Sequence, residues 1–590
     1  MTTSYLAVAL FVALMHGALA GGGDPADWGR IVGDGDSYLR LLRVTRWLET
    51  GLWYDNLIPG ANAPFGLVMH WTRPFDVLLA VLAAPFLPFL GLSQSVHAAG
   101  VLVSPLLHVL TAVALVWALA PSMGRVGAAL AGGLSALQVG LAKLGGFGIA
   151  DHHFLFLLLT VLALGFALRT LVRPSSGAGE AVAAGLTFAL GLWAGPEMLV
   201  FLALVLVVLG LVWVAGDPAG AGRLRALSLA LLGGLALALL LDRGWTGFGL
   251  VEQDRISAIH LVFALLVSVA WAVLSGLERR APWLAHPSRR LAVAAVAAVA
   301  VAGAMAAIFP QLLLGPKAAF DPETFLIFET VEEYAAIDDM GNFLAYLGAG
   351  LIGLPVAYLR LREEWGRPAF RAWCLLAAAL AVYMVLAQSF ARWAVYAEIF
   401  ACPFLAEALL RLDRWLEARP ARLWRLPAKL AGGFGLAVGP LLLGGLLVPE
   451  AAKGVSCPTA RLVELLGEEK AGPGPHTVLA AANDGPEILY RTDHSVVATL
   501  HHRNKEGMRD SLRILRAEDE GEAGAELRRR GIDLIALCPG SRGNHFARPG
   551  DKGRPDLFYR RLEDGRGPEW ARELPLPSAL PFRLFRVVSD

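Results

Sequence analysis

Four stretches of the sequence carry side chains that could act together on a phosphate group. They contain Asp34 and Asp36; Asp151, His152 and His153; Glu329, Glu332 and Glu333; and Arg392. Carboxylates offer the hard oxygen ligands that Mg²⁺ or Mn²⁺ prefers, and a guanidinium can balance charge that develops on a departing phosphate. If the fold brings the stretches together, the sequence predicts a site for a divalent cation and a phosphate leaving group.

Each stretch also has a purely structural interpretation. Asp36 and Asp151 each precede helical sequence and could be N-caps. The histidines could lie at a membrane interface, the glutamates could form a solvated acidic face, and Arg392 could snorkel toward the lipid headgroups. The functional interpretation therefore depends on all four stretches lying on one side of the membrane.

The composition indicates what kind of fold must position these residues. The 590-residue chain is 56% hydrophobic and 17% charged, with a mean hydropathy of +0.56. It is too apolar for a set of soluble domains and is typical of a membrane protein. Its formal net charge of +1 gives no whole-chain argument for a nucleic-acid partner, and we expect none. Its four cysteines include no CxxC pair, which excludes a zinc ribbon and a disulfide scaffold.

Apolar stretches of spanning length predict thirteen transmembrane helices within residues 1–449. They cover residues 4–20, 97–119, 124–142, 152–172, 181–195, 198–215, 226–241, 256–276, 291–314, 342–359, 372–388, 393–410 and 430–448. A further run from Val77 to Leu92 is short and contains Pro85 and Pro88, so we expect an interfacial or re-entrant helix there.

The basic residues orient these helices. The even-numbered connections carry 19 Lys and Arg residues, whereas the short odd-numbered connections carry 5, which places the even connections in the cytoplasm. All four polar stretches then face outward, including those in the external loops 21–96 and 315–341. Residues 18–20 look like a signal-peptidase site, but the stretch before them has no basic residue, so we expect a retained first helix.

The composition changes near residue 450, and residues 450–590 are predicted to form a soluble α/β domain outside the membrane. Thr477 to Ala482, Ser495 to Leu500 and Asp533 to Leu537 are typical of buried strands, and Gly507 to Ala517 and Glu522 to Arg530 of helices. Cys457 and Cys538 would share this oxidising compartment and could pair.

The order of these parts resembles the catalytic subunit of oligosaccharyltransferase, in its bacterial and archaeal single-subunit form. Asp36-Ser37-Tyr38 resembles the metal-binding acidic motif of that family's first external loop. Asp151-His152-His153 is similar to the second-loop motif, with His153 where an acid is usual.

The later motifs of the family have counterparts too. Thr330-Val331-Glu332-Glu333 is similar to the Thr-Ile-x-Glu motif, which places Glu333 at the acceptor-contacting glutamate. Arg392-Trp393-Ala394-Val395-Tyr396 resembles the Arg-Phe-x-x-Tyr stretch, whose arginine meets the lipid pyrophosphate. His70-Trp71 and its neighbours Pro64-Phe65-Gly66 and Pro74 also resemble first-loop sequence.

The resemblance implies a GT-C membrane glycosyltransferase with thirteen spans in the inner membrane and a periplasmic C-terminal domain. It would move a sugar or oligosaccharide from a polyprenyl phosphate or pyrophosphate carrier to an acceptor on the outer face, with inversion. Asp36, Asp151 and His153 would hold Mg²⁺ or Mn²⁺, Arg392 would bind the donor phosphate, and Glu333 or Asp34 would orient or deprotonate the nucleophile. The implied acceptor-binding residues are Glu332, Glu333, Asn483 and Asp484.

The sequence departs from the family in the soluble domain. The Trp-Trp-Asp-Tyr-Gly segment that holds a sequon hydroxyl is replaced by Ala481-Ala482-Asn483-Asp484-Gly485, so a lipid, glycan or protein hydroxyl is an alternative acceptor to asparagine. His501-His502-Arg503-Asn504 follows the next strand and is interpreted first as an exposed basic loop. A transporter of lipid-linked substrates is the rival class, but the charges cluster at helix ends and no repeat is visible. A catalytically inactive glycan-binding relative is disfavoured by the joint presence of Asp36, Glu333 and Arg392.

Overall fold

The structure, a computed structural model, describes residues 2–24, 29–32, 35–172, 177–314, 332–419, 422–448, 455, 457–467, 472–541, 543–548, 550–577 and 580–588. The helices of its larger, N-terminal part are Thr2–Gly21, Gly35–Thr50, Arg73–Ala83, Leu87–Leu90, Leu92–Leu134, Val139–Leu144, His153–Val172, Gly177–Ala194, Met198–Val214, Gly220–Arg243, Ala258–Arg280, Pro287–Ile308, Met340–Glu364, Phe370–Ser389, Ala394–Glu417 and Arg425–Leu447.

Eleven helical segments among the described residues are long and apolar enough to cross a membrane, and two shorter apolar helices, Ala178–Ala194 and Met198–Val214, accompany them. The predicted polytopic α-helical architecture is confirmed. The number of candidate spans differs from the thirteen predicted, partly because two predicted spans form one helical run, Leu92–Leu134, which breaks at Gly124. Gly124 has φ of 71°, a conformation that favours glycine, and it lets the chain turn without a loop.

The segment Val77 to Leu92, predicted to be an interfacial or re-entrant helix, lies mostly within the helical run Arg73–Leu90. The helical run Arg73–Leu90 is among the eleven by length and composition, although a short 3₁₀ turn at Ala84–Phe86 interrupts it. The charges at its start are paired, because Asp76 is fully buried and lies 3.0 Å from Arg73, 2.5 Å from Arg43 and 3.2 Å from Arg40. Pairing of this kind offsets part of the desolvation cost of burying these charges.

The first long loop is a folded element. Its amphipathic helix Gly35–Thr50 buries Leu39, Leu41 and Val44, and is followed by an antiparallel pair, β1 (Leu57–Ile58) and β2 (Leu67–Val68). The buried ion pairs of Asp76 tie this helix to Arg73–Ala83. The loop therefore presents its side chains from a fixed platform.

The C-terminal part is an α/β layer, as predicted. Its strands are β3 (Thr477–Leu479), β4 (Ser495–Val496), β5 (Leu534–Leu537), β6 (Ala571–Leu574) and β7 (Arg583–Val587), in the order β4-β3-β5-β7-β6. The strands β3, β4 and β5 are parallel, and β7 runs antiparallel to β5 and β6. The helices are Thr459–Gly467, Gly485–Arg491, Lys505–Leu515, Glu520–Arg530 and Phe558–Glu563.

The C-terminal part packs directly on the first loop. The Ala63 amide donates to the Val496 carbonyl at 3.0 Å, and the Val496 amide donates to Gly60 at 2.8 Å. Arg530, which is 1% exposed, donates to the Asn62 side chain and to the Ala63 carbonyl, both at 2.8 Å. Cys457 and Cys538 form a disulfide, which confirms that they pair.

Candidate active site

A cavity of about 1600 Å³ lies between the helical part, the first loop and the C-terminal part. The lining includes a residue from each of the four polar stretches, namely Asp36, Asp151, His152, His153, Glu333 and Arg392. Residues that are up to 356 positions apart in the sequence, Asp36 and Arg392, thus line one cavity, which was the condition for the functional interpretation.

Backbone and hydroxyl contacts hold the first two stretches side by side. Asp36 lies in the first turn of the helix Gly35–Thr50, and the next residue, Ser37, accepts the Ala150 amide at 3.1 Å on its hydroxyl oxygen. Ala150 immediately precedes Asp151. A second link, from the Val32 amide to the Gly148 carbonyl at 3.0 Å, ties the same two segments. These contacts set the separation of the two aspartates before any ligand binds.

Asp151, His153 and Glu333 form a compact group. Nε2 of His153 lies 3.2 Å from Oδ2 of Asp151 and 3.4 Å from Oε1 of Glu333, and one ligand atom from each of the three residues lies within 4.8 Å of the others. Two carboxylates and an imidazole that converge in this way fit a divalent cation. Asp36 lines the same cavity but lies outside this group of three.

The electrostatics keep both carboxylates ionised. Burial alone would raise the pKa of Asp151, but His153, His152 and Arg40 outweigh burial and hold that pKa below its ordinary value. Burial alone would also raise the pKa of Glu333, but His153 and Arg392 outweigh burial and lower that pKa. A carboxyl must be ionised to bind a cation, and because the charge on His153 helps to keep both carboxyls ionised, a cation that takes His153 as a ligand displaces a proton from that ring.

Arg392 is fixed by two partners at one end of the group. Its Nη2 donates to Oε1 of Glu197 at 2.6 Å, and its Nη1 donates to the Tyr334 hydroxyl at 3.2 Å. The arginine follows the kink after Phe370–Ser389, in a 3₁₀ turn, Ala391–Trp393. These two partners do not use all of the N–H donors of the guanidinium, so an anionic ligand in the cavity can still bind to it.

A second polar network adjoins Asp151 on its other side. Nη2 of Arg40 lies 3.3 Å from Nδ1 of His152, while Nη1 pairs with Asp76. The Arg40 guanidinium also lies 3.9 Å from the ring centre of Trp71, a cation–π arrangement. Arg40 therefore helps to fix the orientation of the His152 ring.

Of the remaining predicted site residues, some lie outside the described residues, one lines the cavity and one does not. Asp34 and Glu329 lie outside the described residues, and of Glu332 only the backbone, in the turn Glu332–Tyr334, is described. Asn483 is exposed and lines the cavity. Asp484 is not part of that lining, and its carboxylate accepts a hydrogen bond from the Thr459 hydroxyl at 2.7 Å.

Glu197 and Tyr334 were missed at the sequence level. Glu197 is the acid in the short connection between two apolar helices, and an inventory of acids as well as bases in every outward-facing connection would have found it. Tyr334 directly follows Glu333, but nothing in its type or spacing signals that it would meet Arg392.

No protein-family model matches the sequence, and no curated protein matches it either. Solved structures do match. The oligosaccharyltransferase AglB from Archaeoglobus fulgidus, in complex with an inhibitory peptide and a dolichol-phosphate, aligns with a TM-score of 0.72 at 14% identity, over 98% of this chain and 80% of that one.

Two further structures of the A. fulgidus enzyme align at similar identity. One, tethered to an acceptor peptide containing the NVT sequon, has a TM-score of 0.67 at 14% identity over 90% of this chain and 69% of that chain. The other, a complex with Zn and sulfate, has a TM-score of 0.63 at 15% identity over 90% and 67%. The chain therefore has the GT-C membrane fold of the archaeal oligosaccharyltransferase, which confirms at the level of fold the resemblance seen in the sequence motifs.

Proposed function

We propose that this protein is a membrane glycosyltransferase that moves a sugar or oligosaccharide from a polyprenyl phosphate or pyrophosphate carrier to an acceptor on the outer face of the inner membrane. The observation that carries the proposal is the enclosure of Asp151, His153, Glu333 and Arg392 in one cavity at the ends of the apolar helices. A cation site next to a fixed arginine suits the departure of a phosphate, and inversion follows from a single displacement.

The shape of the cavity and its fold relatives support a lipid-linked donor. The cavity is bounded by both apolar helices and a soluble layer, so a carrier could keep its tail in lipid while its phosphate reaches the polar group. The archaeal relative was solved with a dolichol-phosphate, a ligand of this chemistry. Arg392 would meet the phosphate oxygens in the donor complex.

Asp151, His153 and Glu333 would hold the divalent cation, with Asp36 close by in the same cavity. A bound cation supplies Lewis-acid polarisation of the phosphate oxygens. The mixed set of oxygen and nitrogen ligands suits Mn²⁺ better than Mg²⁺, which prefers an all-oxygen site. Glu333 would also orient the acceptor nucleophile, because it lines the same cavity as Asp151 and Arg392.

The acceptor side of the cavity favours something other than a sequon asparagine. Ala481 and Ala482 are buried, and only Asn483 of that segment reaches the cavity lining. A carboxamide and two methyl groups provide neither a carboxylate acceptor for a sequon hydroxyl nor an aromatic wall. A lipid, glycan or protein hydroxyl is therefore the acceptor class that we propose.

The test is a comparison of lipid-linked glycans in four strains: wild type, a deletion, and the deletion complemented with Asp151→Asn or with Asp413→Asn. Asp413 is a carboxylate paired with Lys429 and is not part of the cavity lining, so it is the matched control. We expect polyprenyl-linked sugar to accumulate, by mass spectrometry, in the deletion and in Asp151→Asn only. Normal glycans and no accumulation in Asp151→Asn would contradict the proposal, and accumulation only in the deletion would favour transport.

A further inference from the structure

Three histidines from two distant parts of the chain meet on the other side of Trp71 from the Asp151 group. His70 follows β2 in the first loop, and His501 and His502 follow β4 in the C-terminal part. The centroid of the His70 ring lies 5.1 Å from that of His501 and 4.5 Å from that of His502. One nitrogen from each ring lies within 4.8 Å of the other two, so small rotations of the side chains would bring all three onto a single ion.

Two of these rings carry buried nitrogens that lack a hydrogen bond. Among the described residues, neither Nδ1 of His70 nor Nε2 of His501 has a hydrogen-bond partner, and His501 is only 3% exposed. Buried polar atoms are nearly always satisfied in folded proteins, so an unpartnered pair beside a third imidazole indicates a missing ligand.

A carboxylate fixes the orientation of the third ring, that of His502. Nε2 of His502 lies 2.8 Å from Oδ2 of Asp254, which is in the connection between Gly220–Arg243 and Ala258–Arg280. Metal-ligating histidines usually place their second ring nitrogen against a carboxylate in this way, which fixes the ring and increases its basicity. The ligating nitrogen of His502 would then be Nδ1.

We propose that His70, His501 and His502 bind one transition-metal ion of the zinc class, and that this ion ties the first loop to the C-terminal part at the edge of the cavity. Three neutral imidazoles suit Zn²⁺ and are poor ligands for Mg²⁺. All three residues line the cavity, so a fourth coordination position would face it. The site is distinct from the Asp151 group, and it does not depend on the proposed transfer reaction.

Binding requires one rearrangement at His501. Its Nδ1 accepts the Arg503 amide at 3.2 Å, whereas ligation through Nε2 moves the ring proton to Nδ1. The hydrogen bond given up is a single neutral one at the long end of the normal range, whereas three coordinate bonds to a metal ion form in its place. Metal binding therefore outweighs this loss.

The experiment measures zinc retention by the full-length chain in detergent. The protein is stripped with EDTA, dialysed against ZnCl₂ with excess Mn²⁺ to occupy the carboxylate site, and analysed for metal content. We expect wild type and His286→Gln, a control in an exposed position, to retain one equivalent of Zn²⁺, and His501→Gln and His502→Gln to retain none. Asp254→Asn should keep the stoichiometry but bind about 10–100-fold more weakly.

A spectroscopic measurement on wild type alone covers the case in which a variant fails to fold. Co²⁺ in this site should give a visible absorption typical of imidazole ligation, which Zn²⁺ abolishes and Mg²⁺ does not. Equal zinc retention by wild type and the two glutamine variants, or a wild-type protein that shows no such Co²⁺ spectrum, would overturn the proposal.

Discussion

At the scale of residues, the imidazole of His153 is the feature that distinguishes the proposed cation site. It occupies a position where the motif usually has an acid, and its Nε2 lies between the carboxylates of Asp151 and Glu333. Replacing an oxygen ligand by nitrogen softens the site and shifts its preference away from Mg²⁺. The side chain at position 153 should therefore decide which divalent ion supports the reaction best.

We predict that wild type is more active with Mn²⁺ than with Mg²⁺, and that His153→Asp raises the ratio of Mg²⁺-supported to Mn²⁺-supported activity on the order of tenfold. An aspartate restores the all-oxygen set that Mg²⁺ prefers. The measurement is transfer from a lipid-linked donor in metal-stripped membranes, titrated with each ion. His286→Asp is the control because His286 lies in an exposed connection. An unchanged ratio in His153→Asp would exclude His153 as a ligand.

At the scale of elements, hydropathy was enough to locate most helices because long apolar runs have few alternatives in a membrane chain. The boundary predicted between residues 119 and 124 lies next to the break at Gly124, but hydropathy does not show that the two spans join there without a loop. In the soluble part, the buried strands near 477, 495 and 534 were predicted, whereas β6 and β7 were not. Their burial is incomplete, and Ala571–Leu574 reads as mixed polar sequence.

The candidate site was predictable to a similar degree. The residue types and the common side of the membrane follow from motifs and basic-residue counts, so Asp151, His153, Glu333 and Arg392 could be named. The partners Glu197 and Tyr334 could not, because an interaction across 195 or 58 positions leaves no local pattern. The histidine cluster was likewise hidden, since a His-His-Arg run after a strand also fits an exposed loop.

The helix Thr459–Gly467 provides a pH-dependent contact at the element scale. Burial raises the pKa of Asp484 to about 6, while the hydrogen bond from the Thr459 hydroxyl lowers it. The ordinary pKa is 3.8, so between pH 4 and 6 the folded state binds more protons than the unfolded state, and this group's contribution to stability falls as the pH rises.

We predict that the gain in melting temperature of the C-terminal part on going from pH 7 to pH 5 is smaller in Asp484→Asn than in wild type. The amide cannot ionise, and it can still accept a hydrogen bond from Thr459. Differential scanning fluorimetry in detergent across this pH range measures the effect. Asp533→Asn serves as the control because its carboxylate is about half exposed. Parallel pH profiles for wild type and Asp484→Asn would contradict the assignment.

At the scale of the whole molecule, the cavity exists only while the C-terminal part remains joined to the first loop and to the connection after Gly220–Arg243. One set of charges makes each of these two junctions. Arg503 pairs with Asp254 and Glu252 of the connection after Gly220–Arg243, and Arg530 pairs with Asp510 while binding the backbone of the first loop. The Cys457–Cys538 disulfide links the segment before the helix Thr459–Gly467 to the end of the central strand β5 of the C-terminal sheet.

Arg530 and its neighbour Arg529 allow this junction to be tested with a matched pair. Both reach Asp510, but Arg530 is 1% exposed whereas the side chain of Arg529 is 45% exposed. Removing one partner of a buried ion pair costs up to about 3–5 kcal/mol. In Arg530→Met the Asp510 carboxylate keeps Arg529 as a partner, but the Asn62 side chain and the Ala63 carbonyl lose their buried donor. A surface pair contributes only about 0–1 kcal/mol. We therefore predict that Arg530→Met greatly lowers the melting temperature and that Arg529→Met barely changes it.

The location of the damage distinguishes loss of docking from general unfolding. Arg530 donates to Asn62 and Ala63, so hydrogen exchange in residues 57–69 should accelerate strongly in Arg530→Met and not in Arg529→Met. The helices His153–Val172 and Ala394–Glu417 are mostly buried within the bundle and should stay protected in both variants. Equal exchange in residues 57–69 of the two variants would show that the junction does not depend on this arginine, and the cavity would then owe its shape to the remaining sheet and disulfide contacts.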